Sequence, residues 1–257
     1  MPSPTDFNLS PYFDDFTESK KFHRVLFRPA FAVQARELTQ SQSLLQNQIE
    51  KFGDHVFKQG SIVIPGGVAF DKKYYAVKLT SIASANTLAQ FTTGTIITGG
   101  TSGVVAEIIG TDTLVGSDPD TLYVKYEKTG SNNTAFVFSD GETITGTNSD
   151  SVSLSCVCST TATGSAAIGA AGTYYINGFF VEADAETLLL DKYTNTPSYR
   201  IGYTITESFV TPNDDATLND NATGSSNVNA PGAHRFKILL TLTKKTLSST
   251  EDSNFFE

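Results

Sequence analysis

Residues 31–59 read FAVQARELTQSQSLLQNQIEKFGDHVFKQ, the one stretch of the chain with a clear helical period. Leu38, Leu45 and Phe52 recur every seven residues. Ala35, Gln42 and Ile49 stand three residues ahead of each, and Val56 continues that second series. Apolar side chains at these spacings share one face of an α-helix. The stretch therefore predicts a helix over 31–59 with a seam of about three heptads, and with polar Gln42 inside it. The remaining surface is polar and glutamine-rich (Gln34, Gln40, Gln46, Gln48). Gly53 reads as a flaw in the last turns and Gly60 as a stop. Two packings fit the seam. It can lie on a β-domain, or it can pack on symmetry mates around an axis. Three heptads are marginal for an isolated coil, so tertiary support is expected in both cases.

Outward from the helix the text changes character on both sides. Residues 1–30 read as an extended arm, because Pro2, Pro4, Pro11 and Pro29 forbid a long helix. The arm carries Phe7, Tyr12, Phe13, Phe16, Phe22 and Phe27, and so much apolar surface is expected to dock on the chain's own body or on a neighbour. From Ser61 the period becomes two. SIVIPGGVAF, KKYYAVKLTSI, TYYINGFFVEA, TLLLD, SYRIGYTITESFV and RFKILLTLTKKTL all read as strands broken by short turns. The runs between 93 and 160 (TGTIITGG, TSGVVAEIIG, TLYVKYEKTG, AFVFSDGETIT, SVSLSCVCS) are spaced like a small barrel or sandwich. The expected fold is mainly β with one N-terminal α-helix. It comprises the arm (1–30), the helix (31–59), a sandwich- or barrel-like β body (60–92 plus 161–257) and an inserted small β-domain (93–160). The text stops at SSTEDSNFFE beside another aromatic pair, which reads as the front of a longer protein.

Composition narrows the function classes. Eighteen Phe and ten Tyr give enough material for a core, so disorder is excluded. A formal charge of −9 disfavours sequence-independent nucleic-acid binding, which needs Lys and Arg to neutralise phosphates. Lys20, Lys21, Arg24 and Arg28 are mixed with Asp14, Asp15 and Glu18 and read as surface or intersubunit pairs. No apolar run is long enough to span a bilayer as a helix. The first residues lack a signal-peptide pattern, which predicts synthesis in a cytoplasm without export by that route. Cys156 and Cys158 fall two apart on a presumed strand, at the outer limit for a relaxed disulfide, and are expected to be reduced and partly buried.

The chemistry-bearing residues form no catalytic constellation. Asn213, Asp214, Asp215, Asn219, Asp220 and Asn221 offer oxygen ligands for calcium but lack the EF-hand register, and read as a turn-rich loop. SDPD (117–120) and SDGE (139–142) are turn signals, and nothing pairs their carboxylates at glycosidase spacing. His23, His55 and His234 stand apart from any metal or nucleophile motif. The pairs Gly66-Gly67 and Gly99-Gly100 do not open a helix, so no phosphate cradle is expected. The reading is therefore a protein that is not an enzyme, with no cofactor and no metal.

Two segments, FNLSPYFDDFTESKKFHRVLFRPAFAVQARELTQSQSLLQNQIEKFGDHVFKQGS and GTYYINGFFVEADAETLLLDKYTNTPSYRIGYTITESFVTPNDDATLNDNATGSSNVNAPGAHRFKILLTLTK, together resemble a family of domains of unknown function in virion proteins of tailed phages, common in cyanophages. The match covers most of 7–92 and 165–245. The resemblance implies a structural role in the virion tail, at the baseplate or the tail-fibre attachment region, after assembly in the host cytoplasm. It also implies a homotrimer with other baseplate or tail-fibre proteins as partners, and supplies no catalytic residues. On this reading the interface residues are Phe7, Tyr12, Phe13, Phe16, Phe22 and Phe27 of the arm and Leu38, Leu45, Ile49, Phe52 and Val56 of the helix. Binding of a host-surface glycan through 93–160 is the alternative, and a tailspike-type glycan hydrolase is the third.

Overall fold

The computed structural model describes residues 5–131 and 133–257. Pro2 and Pro4 of the expected arm lie outside them. The chain is mainly β with one α-helix near its N-terminus. Helix α1 is Ala35–Val56, followed by β1 (Ile62–Ile64), β2 (Gly67–Ile82), β3 (Ile96–Gly99), β4 (Val105–Asp112) and β5 (Thr121–Lys128). Next come β6 (Thr143–Thr147), β7 (Ser153–Ala170), β8 (Gly172–Ile176), β9 (Phe179–Ala183) and β10 (Glu186–Asp191). The last strands are β11 (Tyr199–Val210), β12 (Arg235–Thr246) and β13 (Phe255–Phe256).

The chain divides into two compact units. One comprises the residues up to Val68 together with Gly169–Glu186 and Arg200–Glu257. The other comprises Ala69–Ile168 and Thr187–Tyr199. The insert expected over 93–160 falls inside the second unit, which takes in more chain at both ends and a further return segment.

The second unit is a barrel. Its sheet runs β10-β7-β2-β5-β4-β3-β6, and β6 also pairs antiparallel with β7. That extra pairing closes six strands, β7-β2-β5-β4-β3-β6, into a ring without a free edge. Period-two alternation sorts the side chains. Val77, Leu79, Leu122 and Val124 point inward with Ile97, Ile144 and Cys156, and all are buried. Tyr74, Ala76 and Tyr123 face outward and are covered by a smaller cluster with Leu189 and Tyr193. Lys192 fixes this return segment through Asp112 at 2.8 Å and Asp118 at 2.9 Å. Glu142, 4% exposed, staples two loops at the ring's end. It accepts from the Thr101 and Ser102 N–H groups at 2.9 and 2.8 Å, from Ser102 Oγ at 2.8 Å and from the Ser139 N–H at 2.6 Å. Burial alone would raise its pKa, but these donors outweigh burial and hold it below the ordinary value.

The first unit holds α1 and two three-stranded sheets, β1-β8-β9 and β12-β11-β13. Its core includes Tyr174, Tyr175, Ile176, Ile205, Leu240 and Phe255. The short β13 pairs Phe255 with Thr204 and Phe256 with Tyr203. A Cβ at Gly202 would lie 2.1 Å from the Phe256 carbonyl, so this pairing needs a glycine there. Arg200 ties down both ends of β13, through Asp252 at 3.0 and 3.1 Å and Glu257 at 2.8 Å.

Helix α1 is shorter at both ends than the 31–59 expected from its period. Phe31 to Gln34 stay non-helical, and the Gln34 N–H donates to the Glu37 carboxylate at 2.9 Å, which starts the first turn. Phe57 is extended at the other end, with its N–H on the Gly53 carbonyl at 2.7 Å.

Candidate functional site

The helix attaches to its own unit through a largely polar side, with Leu44 its one fully buried apolar side chain. The β8–β9 hairpin turns at Asn177-Gly178, both at positive φ, as an Asn-Gly two-residue turn requires. This turn meets the helix side. Gln46 Nε2 donates to the Gly178 carbonyl at 2.6 Å. The Tyr175 hydroxyl lies 3.0 Å from the Glu50 carbonyl and 2.8 Å from the Asp54 carboxylate. Gly53 is no flaw in this setting. A Cβ there would stand 2.4 Å from the Tyr175 ring, so only glycine lets ring and helix approach so closely. Burial, reinforced by Asp54, pushes the Glu50 carboxyl up from its ordinary value.

The arm's first half follows the same unit. Phe7 meets the Phe236 ring edge-on at 4.9 Å, and Tyr12 lies 5.0 Å from the Phe209 ring. The Tyr12 hydroxyl is 2.8 Å from His234 Nδ1. Asp14 is buried, with its carboxylate on the Ser43 hydroxyl and its carbonyl accepting from Gln40 Nε2 at 3.2 Å. Burial pushes its carboxyl up. Glu18 pairs with Asn47 at 2.6 Å and Lys51 at 3.4 Å. Phe16 is half-buried, whereas Phe13 is exposed.

The expected interface residues thus fall into two sets. Phe7, Tyr12 and Phe16 are engaged with this chain. Phe13, Phe22 and Phe27 are exposed, and so is the whole helix seam: Leu38 (53%), Leu45 (67%), Ile49 (44%), Phe52 (66%) and Val56 (54%). At 100° per residue the middle of the seam lies about a third to just under half a turn from Ser43, Glu50 and Asp54, whereas Gln46 and Gly53, which also meet the body, border the seam directly. Sequence reading missed Leu26, Phe31 and Val33, which are also exposed. From Phe22 to Gln34 only Val25 is partly covered. Phe31 and Val33 fit the helical period of 31–59, which masks them as arm residues.

Other candidates reduce to local structure. Asp214 accepts from Thr211, Asp215 from Thr217 and Asp220 from the Ala222 N–H, each closing its own turn. Among the described residues no three His, Cys, Asp or Glu side chains cluster as a metal site. Cys156 and Cys158 are unbridged and buried in the barrel, and burial pushes their thiols up to about 12 and about 11. A shallow cleft of about 330 Å³ in the barrel unit is lined by Thr92 to Ile96 and Thr147 to Ser149. No aromatic ring lines it, so it offers a sugar nothing to stack on. No described helix is long and apolar enough to cross a membrane.

A family model described as a domain of unknown function, DUF4815, matches residues 10–108 and 110–255. The chain belongs to the DUF4815 family. The match to DUF4815 takes in α1, all of the arm's exposed half and most of both units. No curated protein and no solved structure matches the chain.

Proposed function

We propose that this DUF4815 protein is a homo-oligomeric structural component of a phage tail. On this reading it is a homotrimeric adaptor that links neighbouring baseplate or tail-fibre proteins and does no covalent chemistry. One observation carries the oligomer: α1 turns its polar face to its own body and its apolar heptad seam to solvent. A monomer has no use for that orientation, because burying the seam would be favourable. The five seam residues are already one-third to just over half covered, so further burial is worth roughly 1 kcal/mol apiece, or about 5 kcal/mol per copy. Association costs on the order of 4–15 kcal/mol, so the seam is comparable to the cost but not comfortably above it. Phe22, Leu26, Phe27, Phe31 and Val33 supply the surplus, either between copies or against the neighbouring tail protein.

The tail assignment rests on the resemblance of the arm, helix and hairpin text to tailed-phage virion proteins. Antibody raised against the chain and imaged on purified virions tests it. Label at the distal tail is expected. Label confined to the capsid, or absence of the chain from purified particles, would overturn the assignment.

A further inference from the structure

The exposed seam also contains information about how copies align. Taking Ala35, Gln42, Ile49 and Val56 as one seam position and Leu38, Leu45 and Phe52 as the other, the flanking positions are Thr39, Gln46 and Gly53 on the side next to the body, where Gln46 and Gly53 already meet Gly178 and Tyr175. Ser41, Gln48 and His55 flank the other. None is a carboxylate, lysine or arginine. The helix's charged residues, Arg36, Glu37, Glu50, Lys51 and Asp54, all sit away from the seam and its flanks. In a chain of net charge −9 this matters, since a second copy can approach along the seam without meeting like charge. Neutral flanks also leave charge unable to choose the helices' direction or register. Within the seam only Gln42 is polar. A glutamine amide both donates and accepts, so it is complementary to another copy of itself. Gln42 meets Gln42 only when the helices run parallel and unshifted. Any one-heptad slip, or an antiparallel arrangement, places the amide against Ala35, Leu45 or Ile49 and leaves it buried without a partner, at a cost of about 1–3 kcal/mol per amide.

We infer that Gln42 is the register-setting residue of a parallel, in-register helix bundle formed by copies of this chain. The inference rests on the oligomer reading above and deepens it, naming a second copy as the occupant of the seam and fixing its direction.

Cysteine cross-linking of the full chain tests it, with the native chain as background because Cys156 and Cys158 are buried. Gln42→Cys is expected to form homotypic disulfides on mild oxidation. A mixture of Leu38→Cys and Phe52→Cys chains is expected to give 38–38 and 52–52 links and no 38–52 link, read by peptide mass spectrometry. In parallel register those two positions are about 21 Å apart along the axis, far beyond disulfide reach. A dominant 38–52 link would overturn the parallel arrangement. Gln42→Leu is expected to stay associated but to lose its single stoichiometry, giving a mixture by native mass spectrometry. A single unchanged species would overturn the role of Gln42. If the native chain is oligomeric but Gln42→Cys does not cross-link, this inference fails and the oligomer reading stands. If the native chain is monomeric, both fail.

Discussion

The barrel unit and the helix-bearing unit solve the problem of apolar surface in opposite ways. The barrel pairs β6 with both β3 and β7, closes its ring and buries Val77, Leu122, Ile144 and their neighbours almost completely. The helix-bearing unit fixes α1 by hydrogen bonds from Gln46 and Tyr175, then leaves Leu45 and Phe52 about two-thirds exposed. The contrast shows that exposed apolar surface in this chain is not a general looseness of packing. Its longest runs are one helix face and the arm's exposed half; the barrel unit also exposes Phe70, Leu114, Val115 and Phe136, yet its interior is sealed.

The largest effect is expected from Leu45→Asp. It would place a charge in the seam of every copy, cost several kcal/mol on association and weaken self-association by at least about 100-fold. Its thermal unfolding should barely move when measured at a dilution where the native chain is already dissociated. Leu122→Ala should do the reverse. A cavity in the ring is expected to cost about 2–5 kcal/mol in denaturant unfolding, with the oligomeric mass unchanged. Gly53→Ala comes next, at roughly 1–3 kcal/mol, because the added methyl forces Tyr175 from the helix. Hydrogen exchange should show it as faster opening of α1 and the Asn177-Gly178 hairpin, with barrel amides unaffected. If Gly53→Ala instead opened the barrel, the division between the units would be broken.

Acid separates the units most gently. The folded pKa of Glu142 is lowered, so its stabilisation is present above the ordinary 4.5 and is lost as pH falls through the lower folded value. Asp14 and Glu50 are raised, so their buried charge is a penalty that is relieved as pH falls through their folded values toward the ordinary 3.8 and 4.5. Mild acid should therefore slow exchange where the arm and helix meet the body, and stronger acid should speed it around Thr101, Ser102 and Ser139. Glu142→Gln should abolish the second change and leave the first.

Much of this architecture was legible in the sequence, because strands with a clean period of two and a helix with a seven-residue seam write their pattern into hydropathy. The side of the helix that meets the body was not legible. Docking there uses the Tyr175 hydroxyl, an amide and a glycine, none of which leaves an apolar period. Gly53 was legible as a glycine but not as a contact, since its partner Tyr175 lies far along the chain. Ring closure was also hidden, because the pairing of Ile144 with Cys156 is a matter of register across a turn and not of composition. The arm's exposed half was partly hidden by a boundary. Phe31 and Val33 fit the start of a helical pattern, and only the Gln34–Glu37 cap shows that the helix begins after them.

The adaptor role requires that other copies cover the seam. Sedimentation equilibrium of the full chain at micromolar concentration measures that directly. Three chains of 27.6 kDa per particle is the predicted result. A single 27.6 kDa species across the whole concentration range would contradict it.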